Sequence, residues 1–208
     1  MTFADGLPIL GRRGLLALPL LAAARPAGAA PAPLRFRVMR QGSEIGSHRV
    51  TFAEAGGLLT ARTEVEIAVR LLGVTVFRLS HRFEESWSGD RLRLATSRRD
   101  RNGTVTEMRA EAAGGAIQVQ GTAGAYRLPA EAAPLSWWDP RHFTRPLFDN
   151  ETGEPVTLSW SRSPLPGGGV LWRARGKEES EGSYAADGTW TGWRTKAEDG
   201  SIVTFERA

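Results

Sequence analysis

Hydrophobic and polar residues alternate along most of the chain, which is typical of strands that turn one face toward a core. The clearest run is 59–69, where every second residue from Leu59 to Val69 is apolar, apart from Thr63, and the residues between are mostly polar. The same period recurs from residue 34 to 120 and again from 155 to 206. These two regions therefore predict a series of half-buried β-strands.

Short turns rich in Gly, Asn and Asp separate the predicted strands. Asn102-Gly103 is the strongest signal, because both residues readily adopt the positive φ that a two-residue hairpin needs. We therefore predict an all-β protein, a single antiparallel meander of about eleven strands. Its sheet is strongly curved or forms a partly open β-barrel, and the pattern does not choose between an open and a closed form.

Residues 123–154 interrupt the alternation with four prolines and predict one long Pro-rich connection, which can include a short helix. Within it, 136–143 reads SWWDPRHF. One interpretation is a plug, in which a tryptophan caps the core. The other is a lid over a cavity, in which Trp137 or Trp138 touches an apolar ligand and Arg141 or His142 lies near its polar head.

One predicted strand carries two ionisable residues on its apolar face. In 77–87 the other face is wholly polar, whereas this face holds Phe77, Leu79, His81, Phe83, Glu85 and Trp87. Burying a polar group without a partner costs about 1–3 kcal/mol or more. Three explanations remain open: the face lines a wet ligand cavity, each residue pairs with a neighbouring strand in the core, or the strand end forms an exposed rim.

A ligand cavity would draw its lining from this strand and from 136–143. The candidate residues are His81, Glu85, Trp87, Trp137, Trp138, Arg141 and His142. We assign no catalytic residue, because the chain has no G-x-S-x-G, G-x-x-x-x-G-K, H-E-x-x-H or G-x-G-x-x-G motif. The spacing of the three histidines does not indicate a metal site, so we expect no metal and no cofactor.

The first 29 residues have the order of a bacterial export signal. Arg12 and Arg13 precede an apolar run at 15–24, and small residues follow at 27–29. This arginine pair resembles a twin-arginine signal, so the twin-arginine export machinery is an expected partner of the precursor. We predict cleavage near Ala29, and a periplasmic or secreted mature protein. An uncleaved anchor is the alternative, but the run is short for a membrane span.

The predicted domains are the signal at 1–29, a Pro/Ala-rich link at 30–34 and one β domain at 35–208. The chain has no cysteine, which excludes a thiol nucleophile, a disulfide framework and a cysteine metal site. Its formal net charge is +4 and arginines are dense at 91–101, but no aromatic residue lies among them. A solvated strand face explains that stretch, and we expect no nucleic-acid partner.

Several longer motifs resemble a family of exported bacterial proteins that is known only as a domain of unknown function. They are IGSHRVTF, VTVFRLSHRFEESWSGDRL, WWDP with LFDNETGE behind it, and YAADGTWTGWRTKAEDGSIVTFE. The likeness covers most of 35–206 and implies export and an all-β fold, without an assigned activity. Trp190 and Trp193 depart from strict alternation, which a bulge at Gly192 would explain.

Together these patterns predict an exported β domain, not an enzyme, that binds an apolar or amphipathic molecule of the cell envelope, such as a lipid. The alternative is a structural or protein-interaction module that uses a sheet edge or face. A hydrolase whose site is assembled from His81, Glu85 and distant residues is the third possibility, and no motif supports it.

Overall fold

Sixteen strands make up most of the computed structural model, which describes residues 30–176, 179–197 and 199–208. The first eight follow one another through tight turns: β1 (Leu34–Arg40), β2 (Ser43–Ala55), β3 (Leu58–Leu71), β4 (Val74–Ser88), β5 (Arg91–Arg101), β6 (Thr104–Ala113), β7 (Ala116–Gly121) and β8 (Gly124–Pro129). Three two-residue strands follow: β9 (Ala133–Pro134), β10 (Leu147–Phe148) and β11 (Pro155–Val156). The last five are β12 (Ser159–Pro164), β13 (Val170–Arg175), β14 (Glu179–Tyr184), β15 (Trp190–Lys196) and β16 (Ile202–Arg207).

Thirteen of these strands form one antiparallel sheet in the order β12-β13-β14-β15-β16-β1-β2-β3-β4-β5-β6-β7-β8. The sheet is strongly curved, so that Trp160 of β12, at one edge, packs against core residues of β4–β7. Within the described ranges, β8 and β12 are the outer strands and no pairing joins them. The predicted all-β antiparallel meander is therefore confirmed, and its sheet is open.

The structure has more strands than the sequence pattern predicts. β8 lies inside the stretch assigned to the connection, and it escaped notice because it is short and ends at Pro129. Proline is tolerated there because β8 is an edge strand and has no outer partner that needs its missing N–H. The predicted strand at 155–161 is divided between β11, which belongs to a separate small sheet, and β12.

The connection between β8 and β12 crosses the concave side of the large sheet. Its three short strands form a small sheet in the order β11-β10-β9. The predicted short helix is a single 3₁₀ turn at Pro140–His142, and Asp139 precedes it and accepts a hydrogen bond from the backbone N–H of Arg141. Proline at the first position suits such a turn, because its N–H would have no partner there.

Side chains of this connection complete two core clusters. Phe143 joins the first, with Leu34, Phe36, Val50, Ala61, Tyr184 and Trp190. The second combines Ala132, Ala133, Leu147 and Phe148 with Phe83, Trp87, Leu92, Ala95, Met108, Ala110, Ile117 and Val119. Trp138 and Trp160 pack against both clusters. The connection thus fills space on the concave side that a ligand cavity would need, as the plug interpretation of 136–143 implies.

A bulge in β15 explains the spacing of its two tryptophans. Ser183 of β14 lies opposite Gly192 and the next residue, Tyr184, lies opposite Trp190, so Thr191 is the extra residue. Trp190 and Trp193 can then both pack on the concave side. The bulge expected at Gly192 is thus displaced by one residue.

The β3–β4 hairpin extends beyond its neighbours at one end of the sheet. Pairing of β2 with β3 stops at Ile67, and pairing of β5 with β4 stops at Leu79. β3 and β4 continue to pair with each other as far as Leu71 and Val74. Residues 68–78 therefore form a two-stranded ribbon that projects by roughly 13 Å, at about 3.3 Å per residue.

Candidate functional site

Glu85 of β4 is the centre of a buried polar site. Its side chain is 0% exposed and lies where the connection crosses the sheet. The indole N–H of Trp87 donates to Oε2 over 3.0 Å, the indole N–H of Trp138 donates to Oε1, and the hydroxyl of Ser136 lies 3.4 Å from Oε2. Because three donors converge on it, the carboxyl group is a satisfied core acceptor. Glu85 is thus a satisfied core group, as in the second of the three explanations, but its partners come from β4 itself and from the connection instead of a neighbouring strand.

Burial controls the proton affinity of this carboxyl group. Desolvation raises the pKa of Glu85 to about 7, from an ordinary 4.5, and the negative charge of Asp139 acts in the same direction. The hydrogen bonds from Trp138, Ser136 and Trp87 lower the pKa but do not cancel the effect of burial. Glu85 therefore changes its charge near neutral pH.

His142 lies beside this site. Its ring stacks on Trp87 with centroids 4.1 Å apart, and its Nε2 lies 3.6 Å from Oδ2 of Asp139. Burial lowers the pKa of His142 to about 4, although Asp139 raises it, so the ring is neutral at pH 7. Asp139 also accepts three hydrogen bonds from the guanidinium of Arg141, whose side chain is otherwise exposed to solvent.

His81 occupies a separate buried position on the same strand. Its Nε2 lies 2.9 Å from the hydroxyl of Ser97 on β5. Burial lowers the pKa of His81 to about 4, and the nearby charge of Arg99 lowers it further. A His–Ser contact alone resembles part of a hydrolase site. Here, however, both residues are buried, and Asp149, the acid whose charge raises the pKa of His81, accepts hydrogen bonds from the backbone N–H groups of Glu151 and Thr152 in a turn.

The seven predicted site residues do not form one group. Glu85, Trp87, Trp138 and His142 lie together around the buried carboxyl group, whereas His81 contacts Ser97. Trp137 instead packs against Phe143, Trp160 and Trp193. Arg141 faces solvent, and Arg12 and Arg13 lie outside the described residues. Among the described residues no three His, Asp or Glu side chains converge to hold a metal.

His48 is a buried residue that the sequence interpretation missed. Its ring lies among Phe36, Trp190 and Phe205, and neither ring nitrogen has a hydrogen-bond partner in the described part of the chain. Burial lowers its pKa to about 3, and the proximity of His81 acts in the same direction. The alternation of β2 contained the signal, because His48 shares its face with Val50 and Phe52.

A second missed feature is the apolar end of the sheet. The tip of the β3–β4 hairpin exposes 63% of Leu71, 96% of Leu72, 65% of Val74 and 55% of Val76. Val105, after the β5–β6 turn, and Ile202, after the β15–β16 turn, are exposed at the same end. Turns in solvent are usually polar, so the run Leu71-Leu72-Gly73-Val74 was the available signal. None of the described helices is long and apolar enough to span a bilayer.

Two solved structures resemble this fold. The first, a β-barrel-like protein of the domain of unknown function DUF1849 from Brucella abortus, has a TM-score of 0.56 at 9% identity and covers 86% of this chain and 96% of its own. The second, a DUF1089 family protein from Pseudomonas aeruginosa, has a TM-score of 0.42 at 12% identity and covers 88% and 94%. At these identities the first likeness concerns the fold alone.

No curated protein matches the chain. The sequence profile of a family described as a domain of unknown function, DUF6134, does match it over residues 36–208. This match spans β2–β16 and most of β1, and so includes both the buried polar site and the apolar hairpin. The chain therefore belongs to the DUF6134 family.

Proposed function

We propose that this protein is an exported β domain of the bacterial cell envelope that binds an apolar or amphipathic partner, such as a lipid, without catalysing a reaction. The exposed apolar tip of the β3–β4 hairpin is the observation that carries the proposal. Contiguous apolar surface on a folded domain usually marks a binding surface. We therefore propose that the partner binds at this end of the sheet, and not in its interior.

The energetic argument concerns Leu71, Leu72, Val74 and Val76. Fully burying a Val or Leu side chain is worth about 1.5–3 kcal/mol. The contact of these four side chains with water is unfavourable by a similar free energy for each. Moving them into a lipid phase would recover most of that free energy. Because the ribbon projects beyond β2 and β5, the tip can enter such a phase without moving the rest of the sheet.

Export supports the same proposal. The signal at 1–29, with Arg12 and Arg13, would direct the chain to the periplasm, where envelope lipids are accessible. A domain made in the cytoplasm would meet the same membrane from its other side. The side of the membrane on which the protein lies therefore decides which lipids it meets, whereas insertion of the tip depends on its apolar side chains.

An interior ligand site remains a second candidate, and its residues are those of the sequence prediction. The packing of 130–158 against the concave face argues against it, because the polar atoms of Glu85 already have protein partners. Native mass spectrometry of the purified protein separates the two candidates. A lipid retained equally by wild type and by Leu72→Asp would favour the interior site.

An environment-sensitive dye at the tip tests the proposal directly. The chain has no cysteine, so acrylodan attached to Leu72→Cys reports on one position. We expect a blue shift of its emission when phosphatidylcholine vesicles are added, because the tip enters the apolar phase. Leu58→Cys is the matched control: Leu58 is also exposed, but it lies at the opposite end of β3. An unchanged emission at Leu72, or an equal shift at Leu58, would contradict the proposal.

A further inference from the structure

An open depression lies at the base of the projecting hairpin. It is lined by Thr75, Val76, Phe77, Arg78 and Asn102 and has a volume of about 540 Å³. It follows the edge of β4 just beyond the last residue that pairs with β5. The depression thus combines apolar side chains that continue from the tip with polar groups from the strand and from the β5–β6 turn.

The polar groups of this depression are mainly donors. The side-chain oxygen of Asn102 accepts a hydrogen bond from the backbone N–H of Arg78 over 2.8 Å, and the backbone N–H of Asn102 donates to the carbonyl of Arg78. This leaves the amide NH₂ of Asn102 to donate elsewhere. Arg78 and Thr75 also line the depression, and a guanidinium and a hydroxyl are groups that suit an oxyanion.

The charge of the hairpin is uniformly positive. Residues 68–79 contain Arg70 and Arg78 and no acidic residue. Both arginines are exposed, and within the described ranges neither has a carboxylate partner. Arg70 lies opposite Thr75 in the pairing of β3 with β4, so it shares a face with a residue that lines the depression. An anionic partner is therefore favoured over a neutral one.

We propose that the depression binds the phosphate group of an anionic membrane lipid while the hairpin tip lies among the acyl chains; this rests on the function proposed above. The spacing supports it. Arg78 lies four residues from Val74, or about 13 Å along the strand. A surface-bound element buries its apolar face about 5–10 Å into the interface. The arginine then lies at the level of the lipid phosphates.

Vesicle sedimentation tests this assignment. Wild-type protein is compared on vesicles of phosphatidylcholine alone and on vesicles in which a quarter of the lipid is phosphatidylglycerol, at about 0.1 M salt, where the Debye length is about 10 Å. We expect tighter binding to the anionic vesicles. Arg78→Gln should weaken it about fivefold, which is the factor that one arginine near an anionic surface contributes.

Arg93→Gln is the matched control, because Arg93 is an exposed arginine near the opposite end of β5. Equal losses in Arg78→Gln and Arg93→Gln would mean diffuse charge attraction and would overturn the assignment. Binding of inorganic phosphate without vesicles, lost in Arg78→Gln and accompanied by no preference for phosphatidylglycerol vesicles, would indicate a site for free phosphate and would also overturn the assignment.

The dye at Leu72→Cys separates failure of this inference from failure of the proposed function. If the dye enters phosphatidylcholine vesicles but phosphatidylglycerol adds no affinity, only the phosphate site is wrong. If the dye shows no shift with either lipid, the hairpin does not bind membranes and both proposals are wrong. Reversible self-association that disappears in Leu72→Asp, without any vesicle binding, would point to a second copy of this chain as the partner.

Discussion

Glu85 shows how far single residues could be predicted. Alternation placed it correctly on the face of β4 that also carries Phe83 and Trp87, because the period of a strand depends only on the backbone. Its partners Ser136 and Trp138 come from a segment 51 and 53 residues away. No local pattern encodes that approach, since it depends on how the Pro-rich connection crosses the whole sheet.

The raised pKa of Glu85 predicts a specific dependence of stability on pH. The native carboxyl group holds its proton up to about pH 7, whereas the unfolded one loses it near pH 4.5. The contribution of Glu85 is therefore fully present below pH 4.5 and is lost as the pH rises to 7, by about 3 kcal/mol. Glu85→Gln should lack this change, as denaturant unfolding between pH 4 and pH 8 would show.

The quantity to follow with pH is the difference in the free energy of unfolding between the wild-type protein and Glu85→Gln. His48, His81 and His142 have lowered pKa values, so their contribution is present above pH 6.5 and is lost as the pH falls. Both proteins contain these histidines, and their effect cancels in the difference. A difference in the free energy of unfolding that stays constant across this range would show that Glu85 is ionised throughout, with its charge stabilised by the indole N–H groups.

At the scale of elements, the sequence predicts the turns and strands whose conformation depends on neighbouring residues in the chain. The Asn102-Gly103 hairpin forms as its sequence predicts, with φ of 53° and 87° at the two residues. The connection could be recognised from its prolines, but its three short strands could not. Strands of two residues contain no period, and β9, β10 and β11 exist because they pair with one another.

The contact between the connection and β14 gives a prediction at this scale. Gly182 faces the ring of Trp137, and a Cβ at this position would lie 2.7 Å from its Cε3 atom. Gly182→Ala should therefore displace the tryptophan and lower the free energy of unfolding by about 1–3 kcal/mol. Ser183→Ala, one residue further along, alternates to the other face and is the control.

Equal stability of Gly182→Ala and Ser183→Ala in thermal melts would show that Trp137 can move away from the sheet. Trp137 also accepts a hydrogen bond at its carbonyl from the hydroxyl of Tyr184, 2.7 Å away. This second contact should restrict such movement, because it fixes the backbone of the connection against β14.

At the scale of the molecule, sequence periodicity predicted the all-β class and the antiparallel meander, but neither the pairing of β16 with β1 nor whether the sheet closes. Whether a meander closes depends on whether its outer strands reach each other, and here the connection lies inside the curve instead. The crystal structure from Brucella abortus, described as β-barrel-like, has the same general fold at 9% identity. The fold thus tolerates nearly complete replacement of its residues.

Export is a property of the whole precursor, and it stays a prediction. Replacing Arg12 and Arg13 with lysine should leave precursor in the cytoplasm, because the twin-arginine pathway reads the arginine pair. Fractionation followed by N-terminal sequencing checks this, and mature protein from the periplasm should begin near Ala30. Normal periplasmic yield of the double-lysine variant would assign the signal to another pathway, and an intact Met1 on envelope-bound protein would indicate an anchor.

The position of β16 has a consequence for the order of events during synthesis. β16 is the last described strand to leave the ribosome, yet it lies inside the sheet, between β15 and β1. Until it is made, β1–β8 and β12–β15 have no strand to join them. A chain that is truncated before β16 therefore lacks the strand that joins β15 to β1, and its two groups of strands cannot form one sheet. A pathway that transports folded proteins would thereby discriminate against unfinished ones.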